Sequence, residues 1–456
     1  MAPGADLTEG RRWPDVFDYE NGPWAISKVC SSWRRTVTAS PEVWRRFMLG
    51  TRDLGSKGQF SALETWLRYS RTSTISFLIY THGICDHVVN RELFRMLLSQ
   101  SNRWENIEFV NTTTSFWEML NEYNVRKQLA SLRSFTILSD GDTSAYLDEP
   151  DYDPEDDPDF YGAFREAPQL RSISCLDFII ISKIPGVHFP WTQITKFESS
   201  IRCSENYRIL NNVAPNLEWL RLELTSDDIK TVNCGQSTDD IICLPKLRTL
   251  AIKIYIRPPD HPIVEQPVSS FRRINHLSFP SLENLSITTE FSFLLAPFHI
   301  FAEALRHSPC TLQSLEISGY TRETEDIFKL LKAVPTVRHF CLWIDLHGPL
   351  QLQDVVLPQL MGRGDEALLP RLDILELKFP ERFEIYELDK HPLAALIRFR
   401  WANQETRIRT IRLSLGADIR GKVYRLYAID TLPCLSSLDD LKEEGLTVDV
   451  RGLVTV

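Results

Sequence analysis

The sequence predicts an α/β solenoid in which each repeat is a helix plus a parallel strand, with a short helical segment in front of it. Three observations predict it. A phrase of the form LxxLxL recurs along the chain, amphipathic helical stretches lie between its copies, and residues 23–47 form a tryptophan-rich, basic run with helical periodicity.

The clearest copies are LEWLRLEL from 217, LPKLRTLAIKI from 244, FPSLENLSITT from 279 and LQSLEISGY from 312. VRHFCLWID from 337, LPRLDILELKF from 369 and IRTIRLSL from 408 continue the series, and LASLRSFTIL from 129 and APQLRSISCL from 167 are weaker relatives. Their first apolar positions are 25 to 47 residues apart. Apolar residues two apart on a strand share a face. Leu220 and Leu222, Leu250 and Ile252, Leu285 and Ile287 are therefore expected inside, as are Leu315 and Ile317, Leu375 and Leu377, and Ile411 and Leu413.

The stretches YRILNNVAP, FHIFAEALRHSP, TEDIFKLLKAVP and PLAALIRFRWANQ have helical spacing, and several end at a proline, a helix-stop signal. One helix and one strand cannot bury their apolar faces alone, whereas stacked neighbours can. Strand positions facing away from the helices then form a ladder on the concave side. Trp219, Arg221, Glu223, Lys253, Glu316, His339, Trp343, Glu376 and Arg412 are its candidate protein-binding residues, because Trp and Arg often anchor interfaces.

The 456 residues carry 51 Lys and Arg against 61 Asp and Glu, a net charge of −10. That balance lacks the clustered positive charge that phosphate backbones require, so no nucleic-acid partner is expected. The apolar runs are too short to span a bilayer, and the first residues lack the apolar core of a secretory signal. Nine cysteines without a CxxC pair suit a reducing compartment, which makes a cytoplasmic or nuclear location the expectation.

No phosphate-binding, nucleophile-elbow or zinc-protease motif occurs, so no catalytic residue, cofactor or metal is expected. His82, Cys85 and His87 in THGICDH lack the further ligand that a zinc site needs. The run LDEPDYDPEDDPDFYG, residues 147–162, holds eight acids but lacks the central glycine and terminal glutamate of a calcium loop. It reads as a solvated insertion within one repeat.

In the front segment, Ile26, Val29 with Cys30, Trp33 and Val37 fall on one helical face. Ser40-Pro41 then signals a second helix start, with Val43, Trp44 and Phe47 expected inward. So few residues cannot make a core of their own, so the segment reads as a docking element rather than an active site.

VCSSWRRTVTASPEVWRRF resembles the second half of an F-box as found in F-box/leucine-rich-repeat families of mushroom-forming fungi, where the phrase runs roughly V-C-x-x-W-R-x-x-A-x-x-x-P-x-L-W. Val29, Cys30, Trp33, Arg34, Pro41 and Trp44 match it. DVFDYENGPW upstream and FPWTQITKFE, NNVAPNLEWLRLEL, LLPRLDILELKF and LIRFRWANQETRIRTIRLSL downstream carry further resemblance. The resemblance implies a non-enzymatic adaptor: the F-box binds a Skp-type adaptor and through it a cullin ubiquitin ligase, and the solenoid presents a protein substrate. It implies that the face around Val29, Cys30, Trp33, Pro41 and Trp44 touches the adaptor or packs the F-box's own helices. The family's opening Leu-Pro-x-Glu-type helix has no counterpart, since Leu7 is not followed by proline and Leu-Pro is absent before residue 50. The expected organisation is a tail at 1–22, a partial F-box at 23–50, and a leucine-rich solenoid at 60–456 with its acidic insertion at 147–162. The alternative is an interaction scaffold with no ligase connection.

Overall fold

The computed structural model describes residues 13–50, 57–80, 87–110, 119–120, 122–138, 162–176, 189–201, 210–211, 213, 215–225, 241–255, 272–290, 298–318, 324–343, 352–362, 367–379, 393–403, 406–415 and 433–451. They fall into two compact units, Met1–Ser200 and Ile201–Val456.

In the first unit, helices α1 (Gly22–Val29), α2 (Ser31–Ala39) and α3 (Pro41–Trp44) lead into strand β1 (Arg46–Gly50). Strands β2 (Ile75–Tyr80), β3 (Trp104–Val110), β4 (Ser134–Leu138), β5 (Ser172–Leu176) and β6 (Lys196–Ile201) follow in spatial order, all parallel. Helices α4 (Lys57–Tyr69) and α5 (His87–Leu98) precede β2 and β3. An aromatic file runs through this core, with Phe47–Phe77 centroids 5.7 Å apart, Phe77–Trp104 5.3 Å, Phe109–Phe135 6.2 Å and Phe135–Phe164 4.4 Å. The outer edge of β1 is covered by the preceding chain: Val16 N–H donates to Met48 O at 3.1 Å, and Met48 N–H donates to Pro14 O at 2.9 Å.

The second unit repeats the scheme. Strands β7 (Trp219–Thr225), β9 (Thr249–Tyr255), β11 (Asn284–Glu290), β12 (Ser314–Ser318), β13 (His339–Trp343), β14 (Ile374–Phe379), β15 (Thr410–Leu415) and β16 (Thr447–Arg451) pair in that order, all parallel. Strands β8 (Ile242–Cys243) and β10 (Leu277–Ser278) form a separate parallel pair. Helices α6 (Phe298–His307), α7 (Thr324–Ala333), α8 (Leu352–Gln359) and α9 (Leu393–Ala402) alternate with β11 to β15, and short helices α10 (Pro433–Ser436) and α11 (Asp439–Glu443) precede β16.

The LxxLxL phrase explains the register. Its first residue closes a turn: Leu247 N–H donates to Leu244 O, Leu282 N–H to Phe279 O, and Leu372 N–H to Leu369 O. The next peptide groups stack across repeats, with Glu283 N–H on Arg248 O, Gln313 N–H on Glu283 O, Arg338 N–H on Gln313 O and Asp373 N–H on Arg338 O, all within 2.9 Å. That fixes Leu250 beside Leu285, Leu285 beside Leu315, Leu315 beside Phe340, Phe340 beside Leu375, and Leu375 beside Ile411. Every strand position of the LxxLxL phrase expected inside is buried. At roughly 1.5–3 kcal/mol for each fully buried side chain, this wall dominates the folding energy.

Two features depart from the expected pattern. The second front helix ends at Trp44, Phe47 lies on β1 rather than on a helix, and Val43 is 37% exposed. And strands β1 and β3 carry aromatic versions of the phrase, Trp44-x-x-Phe47-x-Leu49 and Trp104-x-x-Ile107-x-Phe109, with all six residues buried.

In the second unit the Arg400 side chain of α9 is fully buried. Its Nε donates to Leu360 O at 2.7 Å, Nη2 to Leu368 O at 2.5 Å and Nη1 to Leu369 O at 3.3 Å. Burial pushes the guanidinium down to about 10, so it stays protonated at neutral pH, solvated by carbonyl dipoles. Among the described residues, no helix is long and apolar enough to cross a membrane.

Candidate functional site

Two surfaces hold the residues singled out by sequence. The first is built by α1 to α3. Pro23 sits in the first turn of α1, where its missing N–H costs nothing. The chain breaks at extended Cys30 (φ −160°), so α1 and α2 pack as two short helices instead of one.

Inward, Trp24 Nε1 donates to Val16 O at 2.9 Å and Trp44 Nε1 to Val37 O at 2.8 Å. Trp66 of α4 reaches across to donate to Trp44 O at 2.6 Å. The rings of Trp24, Trp44 and Trp66 meet edge to face at 5.0 to 5.8 Å. Each such pair adds about 0.5–1.5 kcal/mol beyond its buried area.

Outward, the segment presents apolar side chains to solvent: Val29 is 63% exposed and Trp33 53%, and Cys30 is exposed beside them. The predicted face therefore divides. Val29, Cys30 and Trp33 are available to a partner, Pro41 is half-buried, and Trp44 is core. The segment that carries the patch is basic. Lys28 is paired with Glu20 at 2.7 Å, while among the described residues Arg35, Arg45 and Arg46 form no ion pair through their side chains.

The second surface is the sheet face of the second unit that points away from the buried leucines. The strand register sets three rows of side chains along it. The middle row runs Glu316, Cys341, Glu376, Arg412 and Asp449, one residue per strand from β12 to β16.

Within these rows Glu316, His339, Trp343 and Glu376 come together with Lys378, Ser314 and Ser414. Glu316 Oε1 accepts from Trp343 Nε1 at 2.8 Å and from Lys378 Nζ at 2.6 Å, and the same ammonium lies 5.3 Å from the Trp343 ring centroid. His339 lies 3.0 Å from Glu376 Oε2 through Nε2 and 3.3 Å from Ser314 Oγ through Nδ1. Ser414 donates to Glu376 Oε1 at 2.8 Å. Arg412 approaches Asp449 at 3.6 Å. Two strands further along lies another group, in which Arg221 pairs with Glu223 at 2.9 Å and Lys253 stands opposite Glu223 on β9. Trp219 begins β7 and is partly exposed.

The electrostatics follow from this packing. Burial pushes the Glu316 carboxyl up, but the bonds from Lys378 and Trp343 outweigh it and hold the group below the usual carboxylate range. For Lys378, burial favours loss of the proton, and Glu316 reverses that effect and raises the ammonium. Burial, helped by Glu316, pushes the Cys341 thiol up to about 12, so it is not a nucleophile at neutral pH.

Ser314, His339 and Glu376 have the residue types of a nucleophile, its base and an orienting acid. The strand amides around Ser314 are spent in the parallel ladder, so they are not free to stabilise an oxyanion. The arrangement holds opposite charges in fixed positions on the sheet face.

Asp449 was missed by sequence reasoning. Its signal was the alternation Leu446, Val448, Val450 in LTVDV. Among the described residues no cluster of His, Cys, Asp and Glu could hold a metal ion. His82 and Cys85, the side chain of His87 and the acidic run through residue 161 lie outside the described residues. No protein-family model matches this chain, and no curated protein matches it.

Proposed function

We propose that this protein is a non-enzymatic substrate-recognition adaptor of a Skp–cullin–F-box ubiquitin ligase. In this reading α1 to α3 are a partial F-box that docks a Skp-type adaptor. The parallel sheet with its helices is a leucine-rich-repeat solenoid of the fungal F-box type, and the Glu316–His339–Trp343–Glu376–Arg412 face takes a protein substrate. The observation that carries the reading is Trp33, a large aromatic left 53% exposed beside Val29 in the segment that resembles an F-box. An exposed apolar patch of this kind marks an interaction site. The basic residues of this segment, of which Arg35, Arg45 and Arg46 form no ion pair among the described residues, favour a partner with an acidic rim.

Purified chain and a Skp-type adaptor, measured by calorimetry, test it. Trp33→Ala is expected to weaken binding by about 30-fold, the effect of losing a hot spot of about 2 kcal/mol, without moving the unfolding midpoint. In the complex, Cys30 is expected to become protected from alkylation, whereas buried Cys175 and Cys341 resist it with or without adaptor. Absence of binding, or equal affinity of Trp33→Ala, would overturn the ligase reading.

One observation favours a second reading, an interaction scaffold without ligase connection. Trp44 is sealed against Trp66, and β1 is the first strand of the sheet, so the front segment is also the structural start of the first unit. An adaptor that does not bind a chain whose sheet face still binds protein would select the scaffold.

A further inference from the structure

A cavity of about 330 Å³ opens in the first unit where the C-terminal ends of α4 and α5 meet. It is lined by Glu64, Leu67, Arg68 and Arg71 from one side, and by Met96, Ser99, Gln100 and Arg103 from the other. Three guanidinium groups thus face one small space with a single carboxylate. Arg103 is built into the wall: its Nε donates to Ser73 O at 2.8 Å, Nη1 to Gln100 Oε1 at 2.8 Å and Nη2 to Ser70 Oγ at 2.6 Å. Of its five donors, these bonds leave two N–H groups uncommitted.

Arg71 follows α4 in the left-handed conformation (φ 50°) that closes a helix C-terminus, with its N–H on Arg68 O at 3.2 Å. Its side chain makes no hydrogen bond or ion pair among the described residues, and that of Arg68 only lies over the Tyr69 ring, 5.4 Å from its centroid.

The simplest role for these arginines is to offset the two helix C-termini, each worth roughly −0.5 charge. The magnitudes argue against that as the whole account. Three positive charges against Glu64 and two half-charges leave about one uncompensated positive charge in a concave site, which concentrates the field. Guanidinium groups present fixed forks of donors that match tetrahedral oxyanions, and the Gln100 amide adds a neutral donor. The volume falls at the small end of ligand pockets, enough for a phosphorylated side chain or a small phosphorylated metabolite.

We propose that this cavity is a binding site for a phosphate monoester, held by Arg68, Arg71 and Arg103. The site stands independently of the adaptor reading, since it shares no residue with either surface.

Calorimetry on the full chain tests it with inorganic phosphate, O-phospho-L-serine and a phosphoserine peptide, against sodium chloride at matched ionic strength. Phosphate is expected to bind where chloride does not, and O-phospho-L-serine to bind about tenfold more tightly at pH 7.5 than at pH 5, because the dianion of a phosphate monoester forms near pH 6. Arg68→Gln with Arg71→Gln is expected to weaken binding at least 30-fold with an unchanged unfolding midpoint, since neither side chain makes a hydrogen bond that folding would lose. A phosphopeptide at least tenfold tighter than phosphoserine identifies a modified protein as the source, and equal affinities identify a small metabolite. No binding of any phosphate, the same heat from chloride, or full affinity in the double variant would overturn the proposal.

Discussion

Trp44→Ala is expected to lower the stability of the first unit by about 4 kcal/mol, enough to unfold a marginal domain at physiological temperature. The indole is fully buried, and it touches Trp24, Trp66 and Tyr69 at centroid distances of 4.9 to 5.1 Å. Removing it opens a cavity among rings that cannot collapse together, because each is held separately: Trp24 by Val16 O, and Trp66 by the Trp44 carbonyl, which alanine retains. The Val37 carbonyl keeps a donor in Ser40 N–H at 3.1 Å, so the loss is one of packing rather than of hydrogen bonding. Trp44→Phe is therefore expected to recover more than half of it. Denaturant unfolding followed by tryptophan fluorescence measures both variants. A midpoint for Trp44→Ala near that of the parent chain would mean that the aromatic file contributes little.

Arg400→Ala is expected to destabilise the second unit by about 3–4 kcal/mol. Two effects oppose each other. Removing a buried guanidinium relieves the desolvation that pushes its proton affinity down, which favours the variant. Against that, Leu360 O and Leu368 O lose the side-chain donors that meet them, at about 1–3 kcal/mol per orphaned buried group, and the aliphatic stem leaves a void. The second effect is larger, because Arg400 ties Leu360, Leu368 and Leu369 to helix α9 by three bonds at once. Arg400→Lys keeps charge and stem but cannot fork to three carbonyls, and about half the loss is expected. Thermal unfolding of both variants decides the matter; wild-type stability in Arg400→Ala would show that relief of desolvation dominates.

Much of the second unit was legible in the sequence because its wall is written in one alphabet. Leucine and isoleucine recur at Leu217, Leu220 and Leu222 and at Leu372, Leu375 and Leu377, and strand alternation does the rest. The opening strands were not, because Trp44, Phe47, Trp104 and Phe109 satisfy the same geometry with rings, and a search for leucine passes over them. Periodicity also placed Val29, Trp33 and Val37 on one stripe of a single helix. It could not show that the backbone turns at Cys30, which leaves Val37 in the core and Trp33 in water. The sheet face was legible residue by residue but not as a network, since the bond from Lys378 to Glu316 joins positions 62 apart in sequence. Arg400 gave no warning at all, as one cation in an amphipathic stretch normally lies on the wet side.

The segment at Pro14–Val16 that pairs with β1 does more than lengthen the sheet. A parallel strand left open at its margin offers a row of free amides and carbonyls to any other chain, and covering that margin is a common safeguard against self-association. Removing residues 1–15, which spares buried Val16, should therefore uncover part of that margin and increase concentration-dependent self-association, visible by sedimentation. With that cover in place the first strand is closed to other copies; without it, copies should begin to zip together there.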